Sequence, residues 1–578
     1  MAGSQASYRS TAESGEAHAL ETNNELAALE TRTLGWTQIR TCLIAGAGFF
    51  TDAYDLFIIN IASSMLAYVY FGTPNLPKDW DLGIKVSTQV GTLIGQLFFG
   101  WAGDRFGRQR IYGFELILII IGTIGSALSA SAVHGFNVLT TLVIMRFVVG
   151  IGVGGDYPLS ASITSESSST KYRGALIAAV FAMQGFGILA SAFVSAIMVA
   201  AFKSAINNDI NNLDLAWRLC IGIGAVPAVI TVYYRLTMKE TSRYTMAKVK
   251  DAERAAAAAA EEDESLKAKL VPTESSGAPT APVLSSSDSP RPSGITEDRR
   301  VSYLAERDVD EKDAGTGTDG GGHPAPRTSQ GTHFTTAPAA VVAPTEAQSP
   351  GYWSSFFKHY SQWKHGKILL ACCVCWFSLD VAFYGINLNN GVILNAIGYS
   401  SSEDPYENLH QTSIGNIIVN LMGTVPGYWF TVFLVDRMGR KTIQLMGFGI
   451  LVVIFIILGF AYNAMLEASV AVFVVFFTLA QFFQNFGPNT TTFIYPSEVF
   501  PTRFRTTSHG LSAASGKLGA IVAQAGFSQL RDIGGTNAFV PHIIQIFAIF
   551  MLIGFGFTFF LPETKGRTLE EISGEDEG

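Results

Sequence analysis

The chain has 578 residues, 48% hydrophobic, 12% aromatic and only 15% charged, against about 25% charged in an ordinary soluble protein. Its mean hydropathy of +0.29 excludes a largely disordered chain and argues for a polytopic membrane protein over a large soluble enzyme. The net charge of −8 argues against a nucleic-acid binder. The five cysteines all fall inside apolar runs, so no disulfide framework is implied.

In chain order, residues 1–38 are polar, carry no apolar cleavable region and read as a cytoplasmic tail. Twelve apolar stretches follow, each near the length of about 20 residues that a helix needs to cross a hydrocarbon core. Six lie near 39–66, 84–102, 111–131, 138–162, 174–200 and 216–237. Six more lie near 367–397, 413–434, 442–462, 469–495, 507–528 and 543–562. The expected organisation is an N-terminal half, 39–237, a cytoplasmic central loop, 238–366, a C-terminal half, 367–562, and a cytoplasmic tail, 563–578. Most of the central loop is rich in Ser, Thr, Pro and Gly, with an alanine run at 255–260 and an acidic cluster at 261–264. It cannot bury a core and is expected to be largely disordered, with a short surface helix near 246–270.

Loop charge sets the expected orientation. Arg105, Arg108, Arg110, Lys171, Arg173, Arg437, Arg440, Lys441, Arg503 and Arg505 lie in loops on one side. Lys78, Lys203 and Arg531 lie on the other. Both termini and the central loop are therefore expected in the cytoplasm. An internal repeat supports two halves. Asp104-Arg105-Phe106-Gly107-Arg108 recurs as Asp436-Arg437-Met438-Gly439-Arg440, and Glu166 with Arg173 recurs as Glu498 with Arg505, both at an offset of 332. The arrangement resembles the parallel repeats of the major facilitator superfamily, whose halves enclose a site near the bilayer midplane. The expected fold is therefore an all-α membrane protein of twelve transmembrane helices in two pseudo-symmetric six-helix halves. Within the loop motifs the acid suits a helix N-terminus and the arginines suit ion pairing. They are expected to hold one conformation closed.

Charges inside the apolar stretches cost about 3 kcal/mol or more each on insertion scales. Helix 1 carries Asp52 and Asp55 on one face, helix 3 Glu115, helix 4 Arg146 and Asp156, helix 7 Asp380 and helix 11 Lys517. Internal pairing, such as Arg146 with a helix-1 acid, explains part of this set. Five acids against two bases leave carboxylates that can bind and release protons. Beside them, Trp376, Asp380 and Tyr384 share one face of helix 7. Gln184 lies on helix 5, and helix 10 holds Gln481, Gln484, Asn485 and Asn489 around a break at Gly487-Pro488. With Lys517 these form a hydrogen-bonding cavity for a small polar anion. A carboxylate there suits an anion that carries its own donor proton, which modestly favours monobasic phosphate over sulfate.

The run Gly154-Gly155-Asp156-Tyr157-Pro158-Leu159-Ser160 resembles a motif of the inorganic phosphate:proton symporters of fungi and plants. So do Gly48 to Asp55, Trp376 to Gly385, Asn485 to Phe493 and His509 to Lys517, and the Pro562-Glu563-Thr564-Lys565 end is closest to the fungal high-affinity branch. The resemblance spans about 39–237 and 352–572. It implies a plasma-membrane symporter with Tyr157, Gln184, Trp376, Asp380, Tyr384 and Asn489 binding phosphate. Asp52, Asp55, Glu115 and Asp156 would carry protons, and Lys517 would sense substrate charge or neutralise an acid after release. No cofactor is expected, and no phosphate-cradling glycine loop suggests ATP. Rival readings are a carrier of a glycerophosphodiester or a sugar, and a nutrient receptor. The receptor reading is motivated by the central loop and its Ser-Pro sites, Ser289 and Ser349. The bland reading of that loop is a tether on which kinases or ubiquitin machinery act. No nucleophile–base pair or metal-ligand spacing points to an enzyme.

Overall fold

The structure, a computed structural model, describes residues 35–131, 137–238, 241, 243–246, 248, 351–400 and 402–574. Expectations for 1–34, for almost all of the central loop up to 350 (Ser289 and the surface helix near 246–270 included) and for 575–578 lie outside these residues. Among the described residues the fold is helical, without strands.

The first half comprises segment 1 (Trp36–Phe57 with Ile59–Phe71), segment 2 (Lys78–Phe106), segment 3 (Phe114–Ala127) and segment 4 (Val138–Ser167). Segment 5 (Arg173–Ala201) and segment 6 (Leu213–Gly222 with Ala225–Leu236) complete it. The second half begins with segment 7 (Trp363–Asn387 with Asn390–Ala396), followed by segment 8 (Pro405–Val419, a π-turn at Asn420–Thr424, then Val425–Met438). Segment 9 (Arg440–Phe460), segment 10 (Val470–Asn485 with Pro488–Val499), segment 11 (Arg505–Leu530) and segment 12 (Val540–Thr558) follow.

Ten of these segments are long and apolar enough to cross a membrane by composition. Segments 2 and 11 are long but more polar, because they pack on each other at the junction of the halves and bury polar side chains there, including Gln89, Gln96, His509 and Lys517. Segments 5 and 8 form the other main contact between the halves. Within the first half the glycines of segment 4 serve close packing. A Cβ at Gly150 or Gly154 would lie 2.2 or 2.3 Å from the carbonyl oxygens of Thr88 or Thr92 on segment 2. Segment 10 breaks at Pro488, which has no N–H to continue the ladder.

One expectation needs correction. The stretch before 366 is not all loop: Tyr352–Tyr360 is a helix that buries Phe356, and segment 7 already begins at Trp363. The spacing of Tyr352, Phe356 and Tyr360 places three aromatic rings on one face, and that face packs on Phe500, Phe504 and Ser508.

Candidate functional site

The repeated loop motifs meet at one face of the bundle. Gly107 (φ 106°) and Gly439 (φ 93°) adopt the positive φ that a tight turn needs and that glycine tolerates. Each turn projects an acid onto a helix N-terminus of the opposite half, where unpaired N–H groups and the helix dipole favour negative charge. Asp104 accepts from the backbone N–H groups of Thr506 and Thr507 (3.2 and 2.7 Å), at the start of segment 11. Asp436 accepts from Ala175 N–H (2.8 Å), at the start of segment 5.

Two buried glutamates then tie the halves. Glu166 receives Arg108 of its own half (3.1 Å), Arg505 of the other (3.2 Å) and the Thr241 hydroxyl (2.6 Å). Glu498 receives Arg440 of its own half (2.7 Å), Arg173 of the other (3.1 Å) and the Thr564 hydroxyl (2.5 Å). Arg105 and Arg437 differ from the expectation: both are solvent-exposed and neither forms one of these ion pairs. The turns at Gly107 and Gly439 separate the two arginines of each motif, so Arg105 and Arg437 end one helix facing solvent while Arg108 and Arg440 begin the next and turn in to Glu166 and Glu498.

In the interior of the first half, Arg235 on segment 6 bridges Glu115 (2.9 Å) and Asp156 (2.7 Å) and lies over the Tyr112 ring at 4.3 Å. Glu115 also accepts from Gly113 N–H at 2.7 Å. Asp156 accepts from Ser160 Oγ as well. Asp55 accepts from Thr123 Oγ1 (2.7 Å), and Arg146 donates to the main-chain carbonyl of Asp55 (2.7 Å), not to its carboxylate. Asp52 receives no N–H or hydroxyl donor on either oxygen and stands beside Asp156. Sequence reasoning missed Arg235. It lies at the end of segment 6, where a long cation ordinarily reaches out to the interface, but here it turns inward. Glu115 and Asp156 are therefore paired, as Asp380 is with Lys517 in the second half, contrary to the expectation of several unpaired acids.

In the second half, Lys517 Nζ donates to Asp380 Oδ2 (3.0 Å) and Tyr384 Oη (2.8 Å). The ammonium also lies 4.2 and 5.1 Å from the ring centroids of Tyr384 and Tyr157. A hydrogen-bonded row crosses between the halves. Asn489 donates to Tyr428 Oη (2.7 Å), Tyr428 to Gln184 Oε1 (3.1 Å) and Gln184 Nε2 to Tyr157 Oη (3.4 Å). Trp376 packs at 6.4 Å from the Tyr157 ring and 5.5 Å from His509. Tyr157, Gln184, Trp376, Asp380, Tyr384, Asn489 and Lys517 are thus brought together, all buried. Tyr428 joins them without having been singled out, since it is one of several polar residues in its segment, with Asn416, Asn420, Thr424 and Thr431. Gln481 instead pairs with Asn387 (2.7 Å), and Gln484 has no hydrogen-bond partner.

Two helical halves, tied by repeated ion pairs over a buried polar site with intramembrane acids, define an integral membrane transporter of the major facilitator fold. The fold matches solved structures of the proton:xylose symporter XylE. One superposes with a TM-score of 0.61 at 18% identity, covering 93% of this chain and 98% of that one. A partially occluded inward-open form of XylE from E. coli gives 0.57 at 18%, covering 92% and 99%. The profile described as "Sugar (and other) transporter" matches residues 41–279 and 336–575, and the chain belongs to that family. The repressible high-affinity phosphate permease of Neurospora crassa is 42% identical over 95% of this chain and 89% of its own length. The inorganic phosphate transporter PHO84 of Saccharomyces cerevisiae is 41% identical, over 95% and 86%.

Proposed function

We propose that this chain imports inorganic phosphate with protons across the plasma membrane, with both termini and the motif face in the cytoplasm. The observation that carries the reading is the Lys517–Asp380 pair, set against the Tyr157–Gln184–Tyr428–Asn489 row, whose Tyr157 end also neighbours Asp52. Monobasic phosphate offers a negative oxygen to Lys517, hydroxyl donors to Asp380 and acceptors to the amides and phenols. The relatives named as phosphate transporters support the same substrate.

Protons load onto Asp52 and its neighbour Asp156. Protonation relieves a bare carboxylate in a low-dielectric interior and frees Arg235 from one of its two acids. Phosphate takes the Lys517 ammonium from Asp380. With these charges neutralised, the arginine–glutamate pairs at the motif face separate and the halves rock to open inward. After phosphate and protons leave, Lys517 and Asp380 pair again and the carrier returns.

Reconstituted vesicles test this. An imposed inward proton gradient drives radiolabelled phosphate uptake, and a protonophore abolishes accumulation. Uphill uptake that survives both the protonophore and Asp52→Asn overturns the coupling. Competition by a glycerophosphodiester at equal concentration, with phosphate failing to compete, overturns the substrate.

A further inference from the structure

Opposite the motif face, a second polar cavity of about 50 Å³ lies between the halves, lined by Asn60, Lys85, Asn389, Asn395, Ser400 and Arg531 among others. At about 10–15 Å³ for each water, that volume holds about four waters or one tetrahedral oxyanion. Its two cations are buried: the side chains of Lys85 and Arg531 are 6% and 10% exposed. Two of the three N–H groups of Lys85 are occupied, by Asp81 (2.9 Å) and Asn389 Oδ1 (3.1 Å), which leaves one donor. Arg531 and Lys78 share Asp532 (3.4 and 2.9 Å). Of the charged residues lining the cavity, Lys85 and Arg531 outnumber Asp81, so its wall is net positive. Asn60 Oδ1 and Ser400 Oγ on the wall are buried without partners.

A hydrogen-bonded row links the wall of the cavity to the central site. Lys517, Gln524 and Arg531 recur every seven residues and so lie along one face of segment 11. Lys517 and Arg531 are thereby about 21 Å apart along the axis. From Lys85 the hydrogen bonds run through Asn389 to Gln524 (3.2 Å), from Gln524 to the Tyr384 carbonyl (2.8 Å), and Tyr384 Oη holds Lys517.

We infer that the Lys85–Arg531 cavity is an outer binding site for a tetrahedral oxyanion, where monobasic phosphate is captured before it passes along segment 11 to Lys517. The inference rests on the phosphate reading above. Lys85 and Lys517 are each paired with one acid, so neither presents a full unmatched charge and the anion can pass from the outer lysine to the deeper one.

The test uses the full chain in vesicles under a fixed inward proton gradient, with radiolabelled phosphate, comparing wild type, Lys85→Gln and Lys85→Arg at low and physiological ionic strength. Lys85→Gln is expected to raise KM about tenfold, the size of one lost charge-assisted hydrogen bond, with turnover changed far less. Lys85→Arg restores KM, and the advantage of wild type over Lys85→Gln shrinks as salt rises. An unchanged KM in Lys85→Gln overturns the outer site. So does a fall in turnover at constant KM, which makes Lys85 only a strut to Asn389. Wild type that takes up no phosphate at all overturns the substrate reading instead.

Discussion

The two halves share a frame and differ in chemistry. At the motif face, the offset of 332 pairs Asp104 with Asp436, Arg108 with Arg440, Glu166 with Glu498 and Arg173 with Arg505, and every pair makes equivalent contacts. In the interior the same offset pairs Asp52 with Tyr384 and Tyr157 with Asn489. There the first half buries Glu115, Arg235, Asp156 and Asp52, while the second buries Asp380, Lys517 and the amides of segment 10. The face must close symmetrically, so both copies keep the same charges. Under the proposed function the first half carries the proton acids and also lends Tyr157 and Gln184 to the anion site, to which the second half contributes Lys517, Asp380, Tyr428 and Asn489.

The largest expected effect breaks this division. Lys517→Ala leaves Asp380 buried without its cation, which costs about 3–5 kcal/mol, and phosphate affinity falls by at least about a hundredfold. Calorimetry on the purified protein checks this; unchanged affinity removes Lys517 from the anion site. Next, Asp52→Asn replaces the interior acid that, among the described residues, lacks a hydrogen-bond donor. Accumulation against a phosphate gradient is lost while phosphate–phosphate exchange persists, a split that vesicle flux measurements read directly. Loss of both would place Asp52 in the anion site and dissolve the comparison.

The shared frame makes its own demand. Glu166→Gln and Glu498→Gln each weaken two arginine contacts, at about 1.5–3 kcal/mol for a charged hydrogen bond, and should open the motif face about tenfold or more, to a similar extent. Spin-label distances across that face check it, and a large inequality means one copy dominates closure. Tyr428→Phe removes one member of the row between Gln184 and Asn489 and raises KM by about threefold to tenfold. Arg105→Ala and Arg437→Ala, exposed and outside the ion pairs, stay within about twofold of wild-type uptake. A larger loss would give them a role that the packed conformation does not display.

Segment number, the repeat and the identity of the polar residues were legible because helix length and residue spacing are local properties. The Gly487-Pro488 break was legible for the same reason. The helix Tyr352–Tyr360 was not, since nine residues beside a polar loop bury one face only after Phe504 and Ser508 are in place. Arg235 was not legible, because a cation near a segment end has two destinations, the interface or the interior, and only its neighbours choose between them.

The amino-acid sequence by itself determined the helical segments, their division into two related halves and which charged residues lie within them, because helix length and residue spacing are local properties. Tertiary structure decided which charge meets which. Arg235 finds Asp156 and Glu115, 79 and 120 residues away, and Lys517 finds Asp380 at 137. Such pairings depend on how helices cross, and no local spacing records a crossing. It also decided that, among the described residues, Asp52 is the interior acid with no donor, a property of everything packed around it.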